Sequence, residues 1–164
     1  MNKSREWSLQ SIQAEINVLK HKPGALLPIL HALQDRFGFI PPDAVPLIAD
    51  SLNQTRAEVH GVISFYHHFR TAPPGRHVVQ ICRAEACQAV GARQLEAHAK
   101  TRLGIDYHQT TSDHDITLEA VYCLGNCACG PSVRVDNNVR GRVTIDAFDA
   151  LMDELQTRPL EVMG

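Results

Sequence analysis

Two close pairs of cysteines constrain this chain more than any other feature. Cys82 and Cys87 lie in ICRAEACQAVG and Cys123 and Cys127 in VYCLGNCACGP, so the pattern is C-x4-C, thirty-five intervening residues, then C-x3-C. A fold that joins the two loops gathers four soft, anionic thiolates, the donors that ferric iron bridged by sulfide favours in a [2Fe–2S] cluster. Structural zinc accepts the same donors with about two to four residues between paired cysteines, so spacing alone does not separate the metals. A dithiol switch ranks lower, since the sequence contains no C-x-x-C. Four buried, unligated thiols are improbable beside a cluster, because each of the two close pairs follows a β-like run. The fifth cysteine, Cys129, either replaces Cys127 as a ligand or stands unused beside the site.

The rest of the composition narrows the class. With 164 residues, the chain holds one domain, or one domain with a helical extension. Hydrophobic residues make up 44% and charged residues 21%, the balance of a globular protein. A formal net charge of −2 and no basic run with interleaved aromatics argue against a nucleic-acid role. The longest apolar stretches, ALLPIL and AVPLIA, fall far short of the roughly 20 residues of a membrane helix. MNKSREWSLQ lacks the apolar core of a signal peptide, so the expected location is a reducing cytoplasm. In that compartment clustered cysteines serve metals or redox chemistry more often than structural disulfides.

The first seventy residues read as helical. Ser8–Leu19 is one helix candidate, broken at His21–Gly24; Leu26, Leu27, Leu30, Leu33 and Phe37 then share a helical face that stops at Gly38. A short helix carries Val45, Leu47, Ile48 and Leu52. Pro28 and Pro46 are tolerable only in first turns, where no intrahelical donor is lost. Thr55 and Glu58 have capping-box spacing ahead of Val59, Val62, Ile63 and Tyr66, with Gly61 inside that helix.

TAPPGR, residues 71–76, reads as a linker, placing a helical domain at 1–72 and a second domain at 73–164. His77–Ile81 is a strand candidate ending at Cys82. Ala89–Leu103 reads as a helix with Val90, Leu95 and Leu103 inward, and Ile116–Tyr122 as a strand delivering Cys123. Ser132–Asp136 and Val139–Val143 form a hairpin about Asn137–Asn138. Thr144 caps a last helix with an Ile145, Phe148, Leu151, Met152 and Leu155 stripe. The fold class is α/β in the broad sense (α+β): helices, then a small sheet with helices packed on it.

Other candidates carry less. His67 and His68 are adjacent and point apart on a helix, which suits a surface role better than ligation. No G-x-G-x-x-G, P-loop or nucleophile-elbow signature occurs. Arg83 and Glu85 read as solvated loop charges. Arg134, Arg140 and Arg142 read as a basic hairpin face, a solvated surface before a docking one.

CRAEACQAVGA, VYCLGNCACGPSVRV and the upstream EVHGVISFYHHF resemble the thioredoxin-like [2Fe–2S] subunits related to the small peripheral-arm subunit of complex I. The same family serves NAD-reducing hydrogenases and soluble NAD-dependent formate dehydrogenases. The resemblance runs from about Leu26 to Leu155 and implies an N-terminal helical bundle followed by a thioredoxin-like [2Fe–2S] domain. It implies Cys82, Cys87, Cys123 and Cys127 as ligands of one cluster, leaving Cys129 unused, and no catalytic residue on this chain. Complex I members commonly read C-L-G-x-C-G-x-A-P, without a cysteine at the place of Cys129. R-A-E-A and N-C-A-C-G-P here look most like the gamma subunit of molybdenum- or tungsten-dependent formate dehydrogenases. That likeness implies a flavoprotein partner binding FMN and NAD, and a large partner carrying the metal–pterin cofactor. It also places further Fe–S clusters on partner subunits.

Overall fold

The computed structural model describes residues 7–157, and these divide into two compact units, the chain passing from one to the other after Pro73. The first unit holds four helices: α1 (Leu9–Leu19), α2 (Leu26–Phe37), α3 (Ala44–Leu52) and α4 (Arg56–Phe65). Ile12 and Ile16 of α1 are buried with Ile29, Leu30, Leu33 and Phe37 of α2, residues whose three- and four-residue spacing turns them to one side. Pro28 and Pro46 each occupy the third position of a helix, where no i−4 partner exists.

At the head of α4, the Thr55 N–H donates to Glu58 Oε2 (2.7 Å) and the Glu58 N–H donates to Thr55 Oγ1 (3.2 Å). The two bonds satisfy two free helix-end donors reciprocally. Behind α4, the Gln34 side chain donates to the His68 carbonyl (2.6 Å) and accepts from the Arg70 N–H (2.7 Å), tying down the chain that leaves the helix. A Cβ placed on Gly61 meets nothing within 4 Å. That glycine serves no close helix approach and costs α4 about 1 kcal/mol relative to alanine.

The second unit is a five-stranded sheet in the order β2-β3-β1-β4-β5, with β1 (His77–Cys82), β2 (Gln109–Thr110), β3 (Ile116–Val121), β4 (Val133–Val135) and β5 (Asn138–Arg140). Only β1 and β3 pair in parallel; the remaining neighbours are antiparallel. Val79, Ile81, Ile116, Leu118, Val133 and Val135 point to one face. They pack with Leu95 and Ala99 of α6 (Ala92–Leu103) and with Phe148, Leu151 and Met152 of α7 (Ile145–Thr157). The opposite face is polar. Arg134 Nε donates to Gln80 Oε1 (2.5 Å), and Gln80 Nε2 donates to Glu119 Oε2 (2.8 Å).

Two expectations from the sequence need correction, and one strand went unread. The stretch Ala89–Leu103 is not one helix: α5 (Glu85–Ala89) ends, Gly91 turns at φ 104°, and α6 starts at Ala92. Val90 is consequently exposed rather than inward. The hairpin turn is Asp136–Asn137, one residue early, because Val135 pairs with Asn138. Asp136 sits at φ 53° while its carboxylate accepts from the Val78 N–H (2.9 Å) and contacts His77 Nδ1 (2.8 Å), so β1 sets the turn. The two-residue edge strand β2 carries too short a pattern to register in the sequence.

Thr55→Ala should lower stability by about 1 kcal/mol, measured by urea unfolding of the full chain. The Thr55 N–H and hydroxyl hold the Glu58 carboxyl below its ordinary value. The share contributed by the Glu58 carboxylate is therefore present above roughly pH 4.3 and is lost as pH falls through the lower folded value. The gap between Thr55→Ala and the parent should narrow in that acid window without closing, because the Glu58 N–H bond to Thr55 Oγ1 does not titrate.

Candidate metal centre

The parallel pairing of β1 with β3 sets Cys82 opposite Val121, so the loops after both strands leave the sheet at one end. Cys82 closes β1, its N–H donating to the Ser132 carbonyl (3.0 Å); the next N–H, of Arg83, donates to the Val121 carbonyl (2.7 Å). The short helix α5 then brings Cys87 back to Cys82. Both thiols are buried, at 2% and 1% exposure, in an apolar cluster with Ala84, Ala92, Val121 and Leu124.

Cys123 lies two residues past β3, and Cys127 begins a single 3₁₀ turn, Cys127–Cys129. These two thiols are exposed, with their Sγ atoms 3.7 Å apart. Two thiolates bound at about 2.3 Å to one tetrahedral metal stand about 3.8 Å apart. Among the described residues, no three His, Cys, Asp or Glu side chains gather closely enough for a single metal ion.

The Cys82 and Cys127 thiols hold their protons more firmly than a free cysteine. Burial pushes the Cys82 thiol up, and the neighbouring Cys87 thiol pushes the same way, against backbone hydrogen bonds from Ala84 and Leu124. The Cys127 thiol is raised by its hydrogen bond with Cys123. A cation replaces those protons, so metal binding releases them and weakens in acid. The Gly125 N–H donates to Cys123 Sγ (3.3 Å), an arrangement that stabilises charge on a ligand sulfur. Donor type, pairing and backbone N–H groups fit a [2Fe–2S] cluster.

Two glycines shape the second loop. A Cβ on Gly130 would lie 2.8 Å from Val90 Cγ2 and 3.3 Å from Cys87 Sγ; one on Gly141 would lie 2.6 Å from both Asn126 Nδ2 and the Cys129 carbonyl oxygen. Gly130 lets this loop close on α5, and Gly141 lets the strap after β5 close on the loop. Asn126 Nδ2 donates to Ser132 Oγ (3.2 Å), while the Arg142 N–H donates to the Cys129 carbonyl (2.7 Å). Cys129 thus holds the strap through its backbone, with its side chain half-buried. Reading the sequence missed both glycines; their signal was C-G-P and R-G-R, small residues beside a cysteine loop and between two bulky arginines.

Arg83 is not simply solvated. Its Nε donates to Glu96 Oε2 (3.0 Å), its Nη1 to the Tyr122 hydroxyl (3.3 Å), and its guanidinium lies over the Tyr107 and Tyr122 rings. One side chain therefore ties the first cysteine loop to α6 and to the residue before Cys123.

The chain belongs to the thioredoxin-like [2Fe–2S] ferredoxin family, whose profile matches residues 12–156. It is 35% identical over 129 residues to the NADP-reducing hydrogenase subunit HndA of Solidesulfovibrio fructosivorans, covering 79% of this chain and 75% of that one. It is 31% identical over 148 residues to an NADH-quinone oxidoreductase subunit of Pseudomonas aeruginosa, covering 90% and 89%. An NAD+-reducing [NiFe]-hydrogenase in the air-oxidised state matches with a TM-score of 0.70 at 22% identity, a likeness of fold alone. That match covers 88% of this chain, which spans only 25% of the hydrogenase chain.

Gly141→Ala should lower stability by about 1–3 kcal/mol and reduce iron retained per chain. Gly61→Ala, with open space around it, should instead stabilise by up to about 1 kcal/mol. Thermal unfolding and iron content of the purified variants check both.

Proposed function

We propose that this chain is an electron-transfer subunit holding one [2Fe–2S] cluster on Cys82, Cys87, Cys123 and Cys127, within an NAD-linked oxidoreductase complex. The observation that carries the reading is the pair of thiol pairs at one end of two parallel strands, with Cys123 and Cys127 3.7 Å apart. The relatives, a hydrogenase subunit and subunits of NADH-quinone oxidoreductase, support the setting. A bound [2Fe–2S] cluster takes up and gives up one electron at a time. The chain contributes the rest: Cys82 and Cys87 anchor from an apolar pocket, and backbone N–H groups support charge on sulfur. The exposed Cys123 and Cys127 offer the edge by which electrons pass. No residue of the chain is assigned to bond-making chemistry.

The finer reading is the gamma subunit of a soluble formate dehydrogenase, supported by R-A-E-A and N-C-A-C-G-P around the ligands. Its partners are a flavoprotein binding FMN and NAD, further Fe–S clusters, and a large subunit with a molybdenum or tungsten pterin where formate is oxidised. No helix among the described residues is long and apolar enough to cross a membrane, in keeping with a cytoplasmic complex.

Cys127→Ser should abolish the visible absorbance of the cluster, and Cys129→Ser should leave it largely unchanged; the reverse result transfers the ligand role to Cys129. For the setting, the native assembly purified through this chain should contain molybdenum or tungsten and reduce NAD with formate. Quinone-linked NADH oxidation, or hydrogen-dependent NAD reduction, would assign it to the other branches of the family.

A further inference from the structure

The three arginines of the hairpin region separate in the structure. Arg134 is half-buried and spends its guanidinium on Gln80 across the polar sheet face. Arg140 and Arg142 are exposed, and neither forms an ion pair within the described residues. They flank Gly141, the residue pressed on Asn126 and Cys129 of the second cysteine loop, and the Arg142 N–H is bonded to the Cys129 carbonyl. The backbone that carries these two cations is thereby fastened to the loop that carries the exposed Cys123 and Cys127, in a chain whose net charge is −2. The helix packed against the Cys127–Cys129 turn, α5, brings a single carboxylate, the exposed Glu85. Apolar surface adjoins the loop as well: Tyr122, just before Cys123, is 67% exposed, and Val90, against Gly130, is 54% exposed.

We propose that Arg140 and Arg142 make the face around Cys123 and Cys127 a docking surface for a redox protein whose own electron-transfer site is rimmed with carboxylates. The inference rests on the electron-transfer reading above. The apolar Tyr122 and Val90 supply area to be dried on contact, and the two arginines orient the approach. Opposite charges at such a rim act mainly on the rate of encounter, by about 10- to 1,000-fold in strongly steered pairs, and salt suppresses the effect. In this setting one electron leaves the reduced cluster and one oxidant is reduced by one electron, with no bond made or broken.

The test uses the cluster-loaded full chain, reduced anaerobically and mixed in a stopped-flow instrument with two protein oxidants of opposite surface charge. These are plastocyanin, an acidic copper protein, and cytochrome c, whose haem edge is ringed with lysines. Each accepts one electron, copper(II) going to copper(I) or haem iron(III) to iron(II). The parent should react faster with plastocyanin at low salt and slow as salt rises past about 0.1 M. Arg140→Gln with Arg142→Gln should lower the low-salt plastocyanin rate about three- to tenfold and flatten its salt dependence, leaving the cluster's spectrum and reduction potential in place. Arg140→Lys with Arg142→Lys should restore most of the rate. Faster reaction with cytochrome c, or an unchanged plastocyanin rate in the glutamine variant, overturns the docking surface. A chain with no reducible cluster overturns the electron-transfer reading itself, and this inference falls with it.

Discussion

The parallel pairing of β1 with β3 is the constraint on which the second unit depends. Antiparallel neighbours would send the loops after these strands to opposite ends of the sheet, and the two cysteine pairs would be separated by the length of a strand. Parallel pairing requires a crossover, and α5 with α6 supplies it, burying Leu95 and Ala99 against Val79 and Ile81. The apolar face that stabilises the sheet and the end that gathers the thiols are thus products of one pairing.

Around that frame, the two thiol pairs are treated differently. Cys82 and Cys87 sit in an apolar pocket whose walls come from both loops, whereas Cys123 and Cys127 face outward. The exposed loop is nonetheless held from three sides: α5 approaches through Gly130, the strap through Gly141, and Arg83 bonds to Tyr122 at its start. An exposed metal edge on a restrained loop suits electron exchange, which needs proximity to a partner and little movement of the ligands.

Much of the fold was legible because its patterns are periodic. The helical faces of α2 and α7, the capping box at Thr55 and Glu58, and the short β-like runs of β1 and β3 each follow from local pattern. The break at Gly91 and the hairpin turn were misread because other parts of the structure decide them. Gly91 leaves the helical region so that α5 can return Cys87, and Asp136 takes a left-handed conformation because β1 holds its carboxylate. At the centre, residue type and spacing raised two thiol pairs as candidates and left Cys129 open, while Gly130, Gly141 and the multiply bonded Arg83 depend on contacts no local pattern records. The basic hairpin face was likewise half legible, since only the structure separates Arg134 from Arg140 and Arg142.

The central claim, that the two thiol pairs hold a two-iron cluster and not a single ion, meets its most direct test in electron paramagnetic resonance of the anaerobically purified, dithionite-reduced chain with its metal content measured in parallel. The account predicts one spin-half signal integrating to about one unpaired electron for every two irons. A chain carrying one zinc ion, no iron and no signal on reduction would contradict it.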